Sequence, residues 1–202
     1  GGIGCPLSQY LVNSGVKELI LVDGDTIEKS NLNRQILFNL EDIGKKKVEV
    51  AKKKLKLINS ECKINIVDDN ISIKNLILLS ECSIIVDATD DWKTSKLLNE
   101  YCVKNSINFL YASALRHDLQ IILFNNTDIK NHLCLNCIFP NKNDVDLPRC
   151  DKVGISGISA GLAGLIAAQK IINFTLKLSN VTNILTVSDG KQLSIENIIV
   201  KS

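Results

Sequence analysis

Leu19-Ile20-Leu21-Val22-Asp23-Gly24-Asp25 reads as a buried strand that stops in a polar turn: an unbroken apolar run, then two carboxylates around a glycine. The same grammar returns at Ile84-Ile85-Val86, which runs into Asp87-Ala88-Thr89-Asp90-Asp91. Between these stretches the apolar spacing changes. Val48, Ala51, Leu55 and Ile58 fall at helical intervals, with Lys45–Lys47 and Lys52–Lys54 mostly on other faces. Ile64–Val67 predicts a further strand and Leu76–Leu79 a short helix. Leu7–Ser14 predicts a helix closed by Gly15. A helix is predicted through Lys93–Asn105, then strands at Phe109–Ala112 and Gln120–Phe124. Residues 125–156 read as a polar loop region, Gly157–Phe174 as a long helix rich in small residues, and Ile184–Val187 with Ile195–Val200 as a closing antiparallel pair around Asp189-Gly190. Alternating strands and helices predict an α/β fold: one domain over residues 1–202, Rossmann-like and doubly wound, with a mainly parallel sheet and a C-terminal antiparallel extension.

Composition narrows the classes. The chain has 202 residues, 45% hydrophobic and 23% charged, which excludes wholesale disorder. Net charge is +2, giving no reason to expect nucleic acid or a membrane as partner. The longest apolar run, Ile155–Ile172, is interrupted by Gln169 and Lys170 and reads as a buried helix rather than a membrane span. The chain contains no Met and begins Gly1-Gly2, as expected of a fragment or a processed form; the strand that should precede these glycines is absent from it. No basic segment followed by an apolar one opens the chain. Its seven cysteines are therefore expected as reduced thiols, in the cytoplasm or an organelle stroma such as that of a plastid.

In open α/β sheets ligands bind outside the carboxyl ends of the strands, and the polar clusters of this sequence fall there. Gly1-Gly2-Ile3-Gly4 opens a helix, where glycines let phosphate approach backbone N–H groups; a flexible glycine start is the plain alternative. Asp23, about twenty residues on, suits ribose hydroxyls. This pairing indicates a nucleotide without choosing between a dinucleotide and ATP. In Ser30-Asn31-Leu32-Asn33-Arg34-Gln35, Arg34 brings a planar cationic fork suited to phosphate, and Asn31 and Gln35 add neutral donors; the structural alternative is a helix start capped by Ser30. Lys47 opens a basic helix whose lysines are mostly a solvated face. Asp90 suits Mg²⁺, which one or two carboxylates hold together with phosphate oxygens; a turn or helix cap is the alternative.

Taken in order, Gly-Gly-Ile-Gly, Val22-Asp23-Gly24-Asp25, Ser30–Gln35, Gly44 with Lys47, Ala88-Thr89-Asp90-Asp91, Cys134-Leu135-Asn136-Cys137 and Cys150 with Gly154 resemble the ThiF/MoeB/HesA proteins, bacterial relatives of ubiquitin-activating enzymes. The resemblance runs from Gly1 to about Val200. Ser8-Gln9-Tyr10-Leu11 and Ala114-Leu115-Arg116 lean toward MoeB, and Asp189-Gly190-Lys191 toward ThiF. It implies an adenylyltransferase that binds ATP and Mg²⁺ and activates the C-terminal glycine of a ubiquitin-like sulfur carrier, of the MoaD or ThiS kind, for molybdopterin or thiamine synthesis. By the same resemblance Gly2 and Gly4 approach the nucleotide, Asp23 holds ribose, Asn31, Arg34, Gln35 and Lys47 serve the nucleotide and its phosphates, and Asp90 serves magnesium. A homodimer is implied, with Gly161 and Gly164 near its interface. Leu119, Ser95 and Ile158 depart from residues usual in the family.

Cys134 and Cys137 form C-x-x-C, by resemblance half of a Zn²⁺ site; no second pair follows before Ser202, and two free thiols are the alternative. Cys150 is either a covalent nucleophile toward the carrier, as in ThiF-like members, or dispensable, as in MoeB-like ones. The rival functions are an NAD-dependent Rossmann oxidoreductase, which leaves Arg34, Lys47 and the C-x-x-C without a role, a truncated adenylation fold kept as a non-catalytic binding module, and a relative that adenylates antibiotic peptides.

Overall fold

The computed structural model describes residues 1–128, 133–140 and 154–201. Its elements run α1 (Gly4–Asn13), β1 (Glu18–Val22), α2 (Lys47–Ile58), β2 (Lys63–Val67), β3 (Ile84–Asp87), α3 (Trp92–Lys104), β4 (Asn108–Leu115), β5 (Asp118–Phe124), a one-turn helix α4 (Leu135–Ile138), α5 (Gly157–Thr175), β6 (Ile184–Asp189) and β7 (Ser194–Ile199). Short 3₁₀ turns occupy Lys29–Asn31, Leu40–Asp42 and Leu76–Leu79.

The strands form two sheets. β1 and β2 pair in parallel, and a five-stranded sheet runs β3-β4-β5-β6-β7. In the larger sheet only β3 and β4 are parallel; β4–β5, β5–β6 and β6–β7 are all antiparallel. The expectation of a mainly parallel, doubly wound Rossmann-like sheet is therefore corrected to an α/β fold with a small parallel sheet and a larger, mostly antiparallel one. The reason lies in connection length. Only Arg116 and His117 separate β4 from β5, and Arg116 takes φ 53°, as a tight hairpin demands. A parallel return needs a dozen or more residues. The sequence looked parallel because helices cover both faces of β4 and β5, so neither strand shows a polar side. Leu110, Ala112 and Ala114 face α1 and α5, while Phe109 and Tyr111 face α3.

α5 is long and apolar enough to cross a membrane by length and composition. Its packing against α1, β4 and β5 makes it a core helix of this fold. Its small residues serve a contact within the chain: a Cβ on Gly164 would lie 2.6 Å from the Ile3 carbonyl oxygen, 2.6 Å from Pro6 Cγ and 3.0 Å from the Leu7 nitrogen. The Gly164 end of the stripe, expected near a dimer interface, is thus occupied by α1. Gly161, one turn earlier, meets nothing within 4 Å.

These two glycines are expected to respond oppositely to alanine. Gly164→Ala forces α1 off α5 and should cost about 1–3 kcal/mol, the scale of overpacking. Gly161→Ala gains helix propensity and should stabilise by about 0.5–1 kcal/mol. Urea unfolding of the two variants beside the parent checks both signs.

Candidate active site

Close α1–α5 packing places the N-terminal turn of α1 at the carboxyl ends of β1 and β3. The Gly1 nitrogen is 3.9 Å from Asp23 Oδ2, at the end of β1. On the other side, a Cβ on Gly1 would lie 3.7 Å from the Ala88 carbonyl, just past β3. A Cβ on Gly2 would sit 3.1 Å from Ala160 Cβ and 3.2 Å from Arg34 Cγ, so a side chain there would press on the arginine stem. Gly157, at the start of α5, packs directly beneath the Asn33 carbonyl and fixes the same loop from below. Gly1, Gly2, Asp23 and Arg34 are thereby brought together around one turn.

Lys47 joins them from α2. Its side chain is only 9% exposed, against the habit of its neighbours, and its Nζ donates to Asp25 Oδ2 at 2.6 Å and lies 4.0 Å from Asp23 Oδ1. Asp23 also accepts the Asp25 N–H at 3.0 Å, which closes the turn after β1. A buried ammonium is costly unless paired, and two carboxylates at a strand end meet that cost. Arg34 holds itself by local bonds, donating from Nη1 to the Ser30 carbonyl at 3.1 Å and Asn33 Oδ1 at 3.0 Å.

Glu28 rather than Ser30 caps the 3₁₀ turn ahead of Arg34. Asn31 answers it, its Oδ1 accepting the Glu28 N–H at 3.2 Å, so Asn31 is a buried structural partner of that turn. Gln35 is 3% exposed, and its Oε1 has no hydrogen-bond partner among the described residues. Asp90 is exposed, two residues past Ala88. Asp91 is the one committed to capping: its Oδ2 accepts the Thr94 N–H at 3.0 Å and the Thr94 hydroxyl at 2.7 Å. Gly4 opens α1 with open space beside it.

Two residues that sequence reading quoted without assigning prove central. Asp25 is the near partner of Lys47. Asp87 closes β3 with no exposure at all, its Oδ1 accepting the Thr89 N–H at 2.9 Å and hydroxyl at 2.7 Å. Among the described residues its Oδ2 meets no hydrogen-bond geometry, and the nearby Ser95 hydroxyl bonds the Asp91 carbonyl at 3.2 Å. Burial pushes the Asp87 carboxyl above the ordinary range, and its hydrogen bonds offset this only in part. Asp87 thus shapes the Thr89–Asp90 turn.

The C-x-x-C lies elsewhere. Cys134, just before α4, and Cys137, on it, have Sγ atoms 3.2 Å apart, and α4 docks on α3 through the Leu135 N–H bonded to Asn99 Oδ1 at 2.9 Å. Burial and the Cys134 thiol push the Cys137 thiol up. Among the described residues no group of three or more His, Cys, Asp or Glu is placed to hold a metal ion, and within them the two thiols stand as a pair. Trp92 and Tyr111 pack edge-on at 6.2 Å, with Phe139 beside them. Cys150 and His132 lie outside the described residues.

A glycine turn between two strand ends, a carboxylate and two cations form an arrangement of the class chemically suited to a nucleotide. The chain belongs to the ThiF family, which matches residues 1–202. It is 33% identical over 201 residues to the adenylyltransferase and sulfurtransferase MOCS3 of Culex quinquefasciatus, covering 98% of this chain and 45% of that relative. It is 29% identical over 180 residues to a sulfur carrier protein adenylyltransferase of Thermus thermophilus, covering 87% of this chain and 66% of the other. Among solved structures it resembles E. coli MccB with MccA-N7isoASN, at TM-score 0.87 and 26% identity over 100% of this chain and 63% of that one. The same protein solved with ATP gives a TM-score of 0.79 at 26% identity, over 100% of this chain and 61% of MccB. The chain spans about half the length of the curated relatives it matches.

Asp87 has a testable signature. A carboxyl whose folded pKa is raised favours the fold fully below its unfolded pKa and loses that contribution as pH rises through the folded value. Unfolding from pH 4 upward should therefore show the parent losing stability relative to Asp87→Asn, which keeps an acceptor for Thr89 without the charge. A parent-minus-variant difference that is flat with pH would show that Asp87 does not titrate upward.

Proposed function

We propose that residues 1–202 form the adenylation domain of an enzyme that activates the C-terminal carboxylate of a small ubiquitin-like sulfur carrier with ATP. The observation that carries this is the meeting of the Gly1–Gly2 turn, Asp23, buried Lys47 and Arg34 at one pair of strand ends. Chain-wide kinship with sulfur-carrier adenylyltransferases supports it.

The chemistry asks little proton transfer of the protein. A carrier carboxylate is already nucleophilic. One of its oxygens bonds the α-phosphorus, the α–β bridging P–O bond breaks, and pyrophosphate leaves with the electron pair; the products are an acyl adenylate and pyrophosphate. The task is positioning and charge. Asp23 accepts from ribose hydroxyls, and Gly2, seated against the Arg34 stem, and Gly4, with open space beside it, let the nucleotide approach backbone N–H groups. Lys47, held ready by Asp25, and Arg34 stabilise the phosphate charge that grows on the departing side, with Asn31 and Gln35 as neutral donors. Magnesium held by Asp90 and nucleotide oxygens would offset further triphosphate charge. A homodimer completes the reading.

MoeB-like members stop at the adenylate and ThiF-like members go on to a covalent carrier adduct. We favour the MoeB-like division, in which Cys150→Ala retains pyrophosphate exchange and enzyme incubated with carrier, ATP and a sulfur donor shows no carrier-sized adduct on Cys150 by mass spectrometry. The similarity to MccB favours one second substrate, a peptide carboxylate in place of a folded carrier.

Carrier-dependent ATP–pyrophosphate exchange on the full-length protein is the test. Arg34→Ala, Lys47→Ala and Asp90→Ala are each expected to lower exchange by about 100-fold or more while the variants stay folded, the scale of losing one preorganised charge contact. Parent-like exchange in any of them removes that residue from the site. Exchange driven by a peptide and not by a carrier assigns the second substrate.

A further inference from the structure

The end of α5 remote from the nucleotide cleft carries a lysine for which adenylation has no use. Lys170 is 7% exposed, and its Nζ donates to the Ile184 carbonyl at 3.0 Å. None of the ion pairs among the described residues involves it. Burial alone pushes its pKa down to about 8, with no neighbouring charge contributing. An ammonium out of water with one neutral acceptor is an expensive arrangement that an anion would relieve.

Lys170 lines a cleft of about 370 Å³ between α5 and the β6–β7 hairpin, within the size range of small-molecule sites. No acidic side chain lines it. Ile166, Val181 and Ile195 form apolar wall, and Asn180 and Asn197 bring amides. The acceptor ends of both amides are engaged by neighbouring threonines. Asn180 Oδ1 takes the Thr182 N–H at 3.2 Å and hydroxyl at 2.9 Å, and Asn197 Oδ1 takes the Thr186 hydroxyl at 2.6 Å. Their N–H₂ groups are the polarity each can still offer a ligand. A cation and two donor groups beside an aliphatic wall match a carboxylate joined to a short apolar body.

We propose that this cleft is a second ligand site, for a small organic carboxylate, with Lys170 and the amides of Asn180 and Asn197 on the carboxylate and Ile166, Val181 and Ile195 around its alkyl part. It stands apart from the nucleotide cleft and does not rest on the adenylation reading.

Nuclear magnetic resonance titration with hexanoate, 1-hexanol and inorganic phosphate tests it. Hexanoate should shift the Lys170, Asn180 and Asn197 resonances saturably, and hexanol and phosphate should bind at least about tenfold more weakly, each lacking half of the match. Lys170→Met should weaken hexanoate by about tenfold or more. Asn180→Asp, which keeps Lys170 but adds a carboxylate beside it, should do the same and guards against a folding defect in the first variant. Absence of saturable hexanoate binding, equal binding of hexanol or phosphate, or parent-like binding in both variants would overturn the assignment.

Discussion

The contact of Gly164 with the Ile3 carbonyl and the Leu7 nitrogen is the constraint on which the rest of the molecule depends. It lets α5 and α1 approach at backbone distance, and Ala160, Ala163, Ala167 and Ala168 extend that approach into one core with β4 and β5. With α1 held there, its first turn has one place to go, between the carboxyl ends of β1 and β3. From it follow the closeness of Gly1 to Asp23 and Ala88 and the fit of Gly2 over the Arg34 stem. The placement of the candidate cleft is thus a consequence of helix packing, which its glycines permit.

Charge at the cleft is arranged in advance. Lys47 is buried and already paired with Asp25 at 2.6 Å, with Asp23 at 4.0 Å. The carboxylates hold the buried lysine side chain in position, and under the proposed function this is the preorganisation that electrostatic catalysis requires. Asp87 works in the opposite sense. Burial raises its pKa, and it holds the Thr89 turn through its Oδ1. One strand end pairs a buried lysine with carboxylates, and at the other burial pushes a carboxyl above its ordinary range.

Much of this was legible in the residues and some was not, for identifiable reasons. Helices announced themselves by spacing and by their ends: α1 ends before Gly15, and α2 places Val48, Ala51 and Leu55 inward, whereas the cap of α3 proved to be Asp91, next to the Asp90 for which a cap was the alternative. Sheet direction misled, because strands covered on both faces look alike whether parallel or antiparallel. The informative signal was the shortness of the Arg116–His117 link, which only a hairpin can span. The Gly/Ala/Ser face of α5 announced close packing but not its partner, which at Gly164 is α1 in the same chain. Among the site residues, Asp23, Lys47, Gly2 and Arg34 converge. Asp25 went unassigned because its role appears only when α2 brings Lys47 to it, and Asp87 because burial at a strand end cannot be read from one chain position.

The ThiF family membership fixes the kin of this chain. An NAD-dependent oxidoreductase would share the glycines and Asp23, but it has no need of a buried lysine paired ahead of time beside an arginine. The most direct measurement is a calorimetric titration of the full-length protein with ATP–Mg²⁺ and, separately, with NAD. The geometry predicts saturable binding of ATP–Mg²⁺ that Lys47→Ala weakens, with no comparable NAD binding. Tight binding of NAD with none of ATP–Mg²⁺ would contradict it.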